Sequence, residues 1–366
     1  MFQPDRLALA RRRRGLNFTR LAKLARMTPQ TVSAYERGLR EPPNDAVQSL
    51  ATTLDFPVEF FYSELGDAVP EDAASFRSLS TMTASQHDRA LAAGTLCVLL
   101  HSWFDERFNL PAVDIPDLTD GQADPAGAAA HVRATWGLGE HPIANLTQLV
   151  EAHGVRVFSL ADDCHAVDAF SFWHNGAPFA LIGTHKTPER GVFDLAHELG
   201  HLVLHRDHRA PRGRAAETQA NEFASALLMP EADIRGNAPR FPAMGDLIRA
   251  KRRWRVSAAA LNYRLHALGL IDHWHYQSLC VEISRIGRDR EVDSIPQERS
   301  EVTAKILGML RQNGVSLRAI ATDLHVRPSE INDLMFGLAM VSVDGGREAS
   351  GDRTERPALR LVATDR

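Results

Sequence analysis

Residues 193–205 read FDLAHELGHLVLH, and this stretch decides how the middle of the chain is built. His197-Glu198-Leu199-Gly200-His201 fits the pattern H-E-x-x-H. On an α-helix, residues four apart share one face, so both imidazoles reach one metal ion while Glu198 points at the open coordination position. Leu195, Ala196, Leu199, Leu202 and Val203 give the stretch a helical apolar pattern. A zinc ion held there lowers the pKa of bound water towards ~7, and Glu198 can take its proton. The motif is short enough to recur by chance, so the third protein ligand decides. The extended pattern H-E-x-x-H-x-x-G-x-x-H needs histidine at 207, where this chain has Asp207. His205 shares the face of His201, but ligands on three successive turns would spread the site over about 12 Å of helix axis. His205 therefore reads as a helix-end or surface histidine, and His208 as a surface one.

The better third ligand lies in AETQANEFASALLMP, Ala216–Pro230. Ala220, Phe223, Ala224, Leu227 and Leu228 form one helical face, and Pro230 ends the helix. Glu217 and Asn221 are four apart on another face. Glu217 can bind the ion while Asn221 holds a ligand histidine by its other nitrogen. Glu222 is an alternative ligand, about 140° further round the helix. A solvated charge near a helix start is the bland reading of Glu217. Upstream, Ile143–His153 reads as a helix and Val155–Leu160 as a strand. Phe170–Trp173 and Pro178–Ile182 flank His174-Asn175-Gly176 and read as a β-hairpin. Cys164, just before the hairpin, reads as an inert thiol.

Taken together, DAFSFWHNGAPFALIGT, ERGVFDLAHELGHLVLH and ETQANEFASALLMP resemble the ImmA/IrrE family of zinc metallopeptidases over about residues 140–240. The resemblance implies a zincin-like domain with a small antiparallel sheet. It implies Zn2+ held by His197, His201 and Glu217, with Glu198 as general base. The hairpin would supply an edge strand on which a substrate chain lies extended. Tyr263 and His174 are the candidates for the group that steadies the oxyanion.

The head of the chain has a different character. Residues 1–40 hold ten Lys/Arg and two acids, a net +8, although the whole chain carries −4. A compact basic head is an electrostatic footprint for nucleic acid. Asp5–Arg14 reads as a helix stopped by Gly15. Asn17 or Thr19 caps a second, Arg20–Arg26. Thr28 and Pro29 open a third that ends at Gly38, and Asp45–Leu54 is a fourth. Two short helices joined by a three- or four-residue turn make a helix-turn-helix unit, whose second helix enters the major groove. Gln30, Thr31 and Ser33 then face base edges, with Thr28 at the cap. Arg11, Arg12, Arg13, Arg14 and Arg37 are expected to neutralise phosphates. FTRLAKLARMTPQTVSAYERGLREPP, Phe18–Pro43, followed by LATTLDFPVEFF, resembles the XRE (Cro/C1-like) helix-turn-helix family. That resemblance implies a homodimer on near-palindromic operator DNA.

The remainder is mainly helical. Gly66–Ala74 reads as a linker and Ala84–Asn109 as a long helix whose run LCVLL packs in a core or dimer seam, with Cys97 an ordinary buried thiol. Gly245–Gly269 looks like a second helix-turn-helix-like piece. Ser316–Leu334 repeats the first motif at Ala22/Ala321, Pro29/Pro328 and Val32/Ile331, and reads as a packing or dimer module. The expected class is mostly α with a small α+β core. The expected divisions are a DNA-binding domain over 1–65, linker and long helix over 66–138, peptidase-like domain over 139–240, helical region over 241–340 and polar tail over 341–366. The longest uncharged stretch, Ala90–Phe104, is too short for a bilayer core about 30 Å thick. The N-terminus lacks the apolar run of a secretory signal, and three scattered cysteines suit a reducing cytoplasm.

The order of reader then peptidase resembles regulators of stress, DNA-damage or mobile-element genes. It implies a repressor that cleaves itself or a partner regulator, with the exposed linker near Gly66–Ser80 as the natural cut region. The rival reading is a non-proteolytic regulator using the same fold as a sensor for a small molecule, acyl-CoA or single-stranded DNA. Single-stranded DNA or a small molecule is also the expected kind of trigger for the first reading.

Overall fold

The computed structural model describes residues 1–66, 69, 74–76, 82–119, 124–160, 167–206, 213–287 and 290–335. Cys164, His208 and the tail 341–366 lie outside them. The head forms α1 (Pro4–Arg13), α2 (Phe18–Leu24), α3 (Pro29–Glu36) and α4 (Asn44–Leu54), followed by a 3-10 turn, Val58–Tyr62. Its boundaries follow local chemistry. The Asn17 side chain accepts the Arg20 N–H at the start of α2, and Thr28 accepts the Thr31 N–H at the start of α3, with Pro29 next. Leu7, Leu21, Val32, Tyr35, Val47, Leu50, Phe56, Phe60 and Phe61 fill the small core.

Among the described residues four strands form one sheet in the order β1-β3-β4-β2: β1 (Ala74–Phe76), β2 (Arg156–Leu160), β3 (Ala169–His174) and β4 (Ala177–Gly183). β3 and β4 are the expected hairpin. Its turn residues, Asn175 and Gly176, have φ of 47° and 79°, as a two-residue turn matched to strand twist requires. Two expectations are corrected here. The sheet is mixed, because the tight hairpin leaves β4 between β3 and β2, and β2 runs parallel to β4. The hairpin offers no free edge, because β1 pairs antiparallel with β3 on its outer side.

Alternation along the strands separates two cores. Phe158, Phe170, Phe172, Phe179 and Leu181 face one side, with the head and α5 (Ala84–Asp105). Val157, Ala169, Ala180 and Ile182 face the other. α5 crosses the phenylalanines closely at Gly94, where a Cβ would stand 3.2 Å from the Phe172 ring. Cys97 is buried in the same helix, as expected. The second core collects α6 (Pro125–Thr135), α7 (Leu146–Ala152), α8 (Pro188–Leu204), α9 (Arg214–Leu228), α10 (Glu231–Asn237), α11 (Met244–Trp254), α12 (Ala258–Ala267) and α13 (His273–Ile286). α8 packs against α9 and against β3 and β4. A fully buried ion pair, Lys251–Glu189 at 3.0 Å, fixes the start of α8 to α11.

The last helices, α14 (Glu301–Gln312), α15 (Leu317–Asp323) and α16 (Pro328–Met335), return to the first core. They copy α1–α3 at an offset of 299 residues. Gly15 and Gly314 turn at φ 62° and 71°, and Arg26 and His325 at 57° and 53°. Asn17 and Ser316 both cap, and Pro29 and Pro328 both open the third helix. α16 lies against β2 and α5, with Ile331, Leu334 and Met335 buried.

Candidate metal centre and nucleic-acid interface

The helix α8 carries H-E-x-x-H as its spacing demands. His197 and His201 are both buried, with Nε2 atoms 3.1 Å apart. Glu217, in the first turn of α9, brings Oε2 to 3.3 Å from His197 Nε2 and Oε1 to 3.4 Å from His201 Nε2. Among the described residues these three form one cluster able to hold a metal ion. The spacing fits: ligand atoms about 2.0–2.1 Å from a common centre at tetrahedral angles lie about 3.3 Å from one another. Burial alone would push the Glu217 carboxyl up. Hydrogen bonds from His197 and His201 outweigh that and hold it at about 2.

The outer nitrogens of both histidines are also held. Asn221 Oδ1 lies 3.2 Å from His197 Nδ1, while its amide donates to the Glu217 carbonyl at 2.7 Å. This is the place the sequence suggested for Asn221. His201 Nδ1 lies 2.9 Å from His205 Nδ1, and His205 Nε2 lies 2.8 Å from Gln219 Oε1. A carboxamide oxygen only accepts, so His205 Nε2 carries the proton and its Nδ1 accepts from His201. With an ion bound, this arrangement presents the Nε2 lone pair of His201 to the metal, in place of its hydrogen bond to Glu217. His205 does end α8, but it is half-buried and orients His201 rather than standing free at the surface. Burial pushes its pKa down, against the raising effect of its hydrogen bond to Gln219.

Glu198 is fully buried. Its Oε2 accepts from Ser171 Oγ of β3 at 2.6 Å. The sequence reading missed Ser171; the signal was period-two alternation, which puts Ser171 and Trp173 on the α8 side of the hairpin. The same parity corrects His174. It lies on the opposite face, beside His101, Asp105 and Arg156, and does not approach Glu198. Tyr263 is half-exposed on α12, at the rim of a cavity of about 420 Å3 that it shares with Phe193, Asn221, Glu222 and Ser225.

In the head, Gln30 and Thr28 are exposed, and Thr31 and Ser33 half-buried, along the start of α3. The Thr28 hydroxyl meets that of Thr31 at 2.8 Å, so both serve the cap. Arg37 is exposed just beyond α3. The arginine run is the larger correction. Arg11 grips Glu36 through two hydrogen bonds of 2.6 and 2.7 Å. Arg13 and Arg14 bind Glu330 of α16 at 2.8 and 2.5 Å. Only Arg12 of the four is exposed. Their guanidiniums face carboxylates across the fold because α1 packs on its neighbours rather than on solvent. The exposed basic groups are instead Arg12, Arg20, Lys23, Arg26, Arg37 and Arg40, grouped mostly around α2 and α3.

Comparison with known proteins follows this division. Residues 5–59 match the helix-turn-helix domain family, and residues 150–266 match the IrrE N-terminal-like domain family. One segment of the chain is thus similar to helix-turn-helix domains and another to the IrrE N-terminal-like domain. The chain is similar to the radiation response metalloprotease IrrE of Deinococcus radiodurans, with 36% identity over 110 residues. That match covers 25% of this chain and 34% of the relative, so the chain spans about a third of the curated protein it matches. The IrrE-like segment holds α8, α9 and the hairpin, and the helix-turn-helix segment holds α1–α4. No helix among the described residues is long and apolar enough to cross a membrane.

Proposed function

We propose that this chain is a transcriptional repressor whose zinc-dependent endopeptidase domain cleaves the chain itself or a partner regulator. The trigger is a stress or DNA-damage type of signal, such as single-stranded DNA or a small molecule. The observation that carries the reading is the meeting of His197, His201 and Glu217 at tetrahedral spacing, with the buried Glu198 next to His197 on the same helix. His197, His201 and Glu217 hold the ion; zinc, when bound, supplies a Lewis acid and a water of lowered pKa. Glu198 takes the proton of the attacking water and returns it to the leaving amine. Ser171 fixes one oxygen of Glu198 by its hydrogen bond, which leaves the other for the proton. Asn221 and His205 hold the ligand rings in one tautomer. Tyr263 is the remaining candidate to steady the oxyanion. In the head, Gln30, Thr31 and Ser33 read bases of double-stranded operator DNA, and Arg12 and Arg37 contact phosphates, in a homodimer.

The test compares the chain with Glu198→Gln for zinc content, operator binding and cleaved fragments under candidate triggers. Zinc and DNA binding should be unchanged, while cleavage falls about 10²–10⁴-fold with loss of the base. If no trigger produces fragments that the variant lacks, the protease reading fails and the sensor reading replaces it.

A further inference from the structure

Proteins commonly bind an extended chain by adding it to the edge of a sheet, main chain to main chain. The strand of this sheet that adjoins Glu198 is β3. Ser171 Oγ donates to Glu198 Oε2 at 2.6 Å, and the Trp173 indole donates to the Leu202 carbonyl of α8 at 3.2 Å. β4 covers one side of β3. The other side is where an added chain would pair, and β1 lies there. Ala74, Ser75 and Phe76 stand opposite Phe172, Ser171 and Phe170 in antiparallel register. The middle of β1 therefore lies across the ladder from the residue that holds the base.

β1 does not come from the same stretch as the rest of the sheet. β2, β3 and β4 lie within residues 156–183, whereas β1 belongs to the stretch between the DNA-reading head and α5. Val69 tethers that stretch on its way, donating its N–H to Thr95 Oγ1 of α5 at 3.4 Å. Among the described residues three pair with β3, and each ladder bond lost on displacement is worth about 0.5–1.5 kcal/mol net.

We propose that Ala74–Phe76 occupies the position an extended substrate takes beside Glu198, so that the chain masks its own site and any other substrate chain must displace this strand. The word substrate rests on the peptidase reading; the occupancy of β3 does not. The strand also ties the state of the site to the head, since the occupying segment leads directly from it.

The test uses the full zinc-loaded chain and a labelled synthetic peptide, PEDAASFRSLS, residues 70–80. Ala74, Ser75 and Phe76 are replaced together by proline, which has no N–H to give a ladder. In the Glu198→Gln background, fluorescence anisotropy should show the peptide binding about tenfold tighter to the proline variant, because apparent affinity scales with the fraction of open sites. With Glu198 intact, cleavage of unfolded casein should rise by a similar factor of about ten. Ser75→Pro alone replaces the triple variant if zinc content or circular dichroism shows that the triple one misfolds. Equal peptide affinity in masked and unmasked chains overturns the proposal. Equal casein cleavage in both also overturns it, while leaving the peptidase reading standing. Tighter peptide binding with no cleavage in either supports the masking and removes the peptidase reading instead.

Discussion

The first and last helix-turn-helix-like copies of this chain share their turns and differ in what they do with them. Both turn at a positive-φ glycine and a positive-φ residue three before the proline that opens the third helix. Yet α3 keeps Gln30 exposed and Thr31 and Ser33 at the surface, whereas α16 turns inward. The equivalent of Thr31 is Glu330, buried and bound to Arg13 and Arg14. Punctuation fixes the local fold; the polar residue set on the third helix decides whether that helix stays open to solvent or closes a core. The largest expected effect tests that contrast. Glu330→Ala leaves the Arg13 guanidinium, 1% exposed, without its main carboxylate. It should cost about 3 kcal/mol, read as a lower midpoint of denaturant unfolding. Thr31→Ala, at the matching place of the first copy, should stay within about 0.5 kcal/mol. Equal losses would mean that the two copies are used alike.

The next effect concerns DNA. Gln30→Ala should change base preference by about 1–3 kcal/mol at one operator position, measured by competition between sequence variants. Ser329→Ala, one residue into α16 after its opening proline, should leave operator binding unchanged. A smaller effect follows for charge. Arg37→Ala should lower the slope of log affinity against log salt by about one. Arg13→Ala should act on stability instead, because that side chain is committed to Glu330 and Asp333. A drop in the salt slope for Arg13→Ala, with stability intact, would return the arginine run to the DNA surface.

Much of this was legible in the sequence wherever the cause is local. Asn17, Thr28 and Pro29 set the helix starts because caps and prolines act within one turn. The four-residue spacing of His197 and His201, and of Glu217 and Asn221, put each pair on one helical face before any packing was known. The losses come from partners far along the chain. Arg11 reads as a phosphate contact until Glu36, 25 residues on, is seen to bind it, and Arg13 until Glu330, 317 residues on. Ser171 gives no sign of Glu198 without the approach of α8 to β3. His174 could have been placed, since strand parity alone sets it opposite Ser171. β1 carries three residues of weak pattern, and only the edge of β3 gives them a reason to be a strand.

The two copies differ also at the start of their first helix, and this effect is the most selective. α1 begins at Gln3 with no side-chain cap. α14 begins against Glu151 of α7, which accepts the N–H groups of Glu301 and Val302 at 3.0 and 3.2 Å, and the Ser300 hydroxyl. Burial pushes the Glu151 carboxyl up, and these donors and the nearby Glu301 leave it at about 7. An acid raised in the folded state binds its proton more tightly there than in the unfolded chain. Its contribution to stability is therefore whole below the ordinary glutamate range and is lost as pH rises through about 7. Unfolding midpoints measured between these limits should fall with rising pH, and Glu151→Gln, which cannot ionise, should flatten that part of the curve. The lesion acts on α14 and leaves α1 untouched, so the DNA affinity of the head should not follow the same pH course. If Glu151→Gln leaves the slope unchanged, the last copy is held by its apolar face and the Glu330 pairs alone.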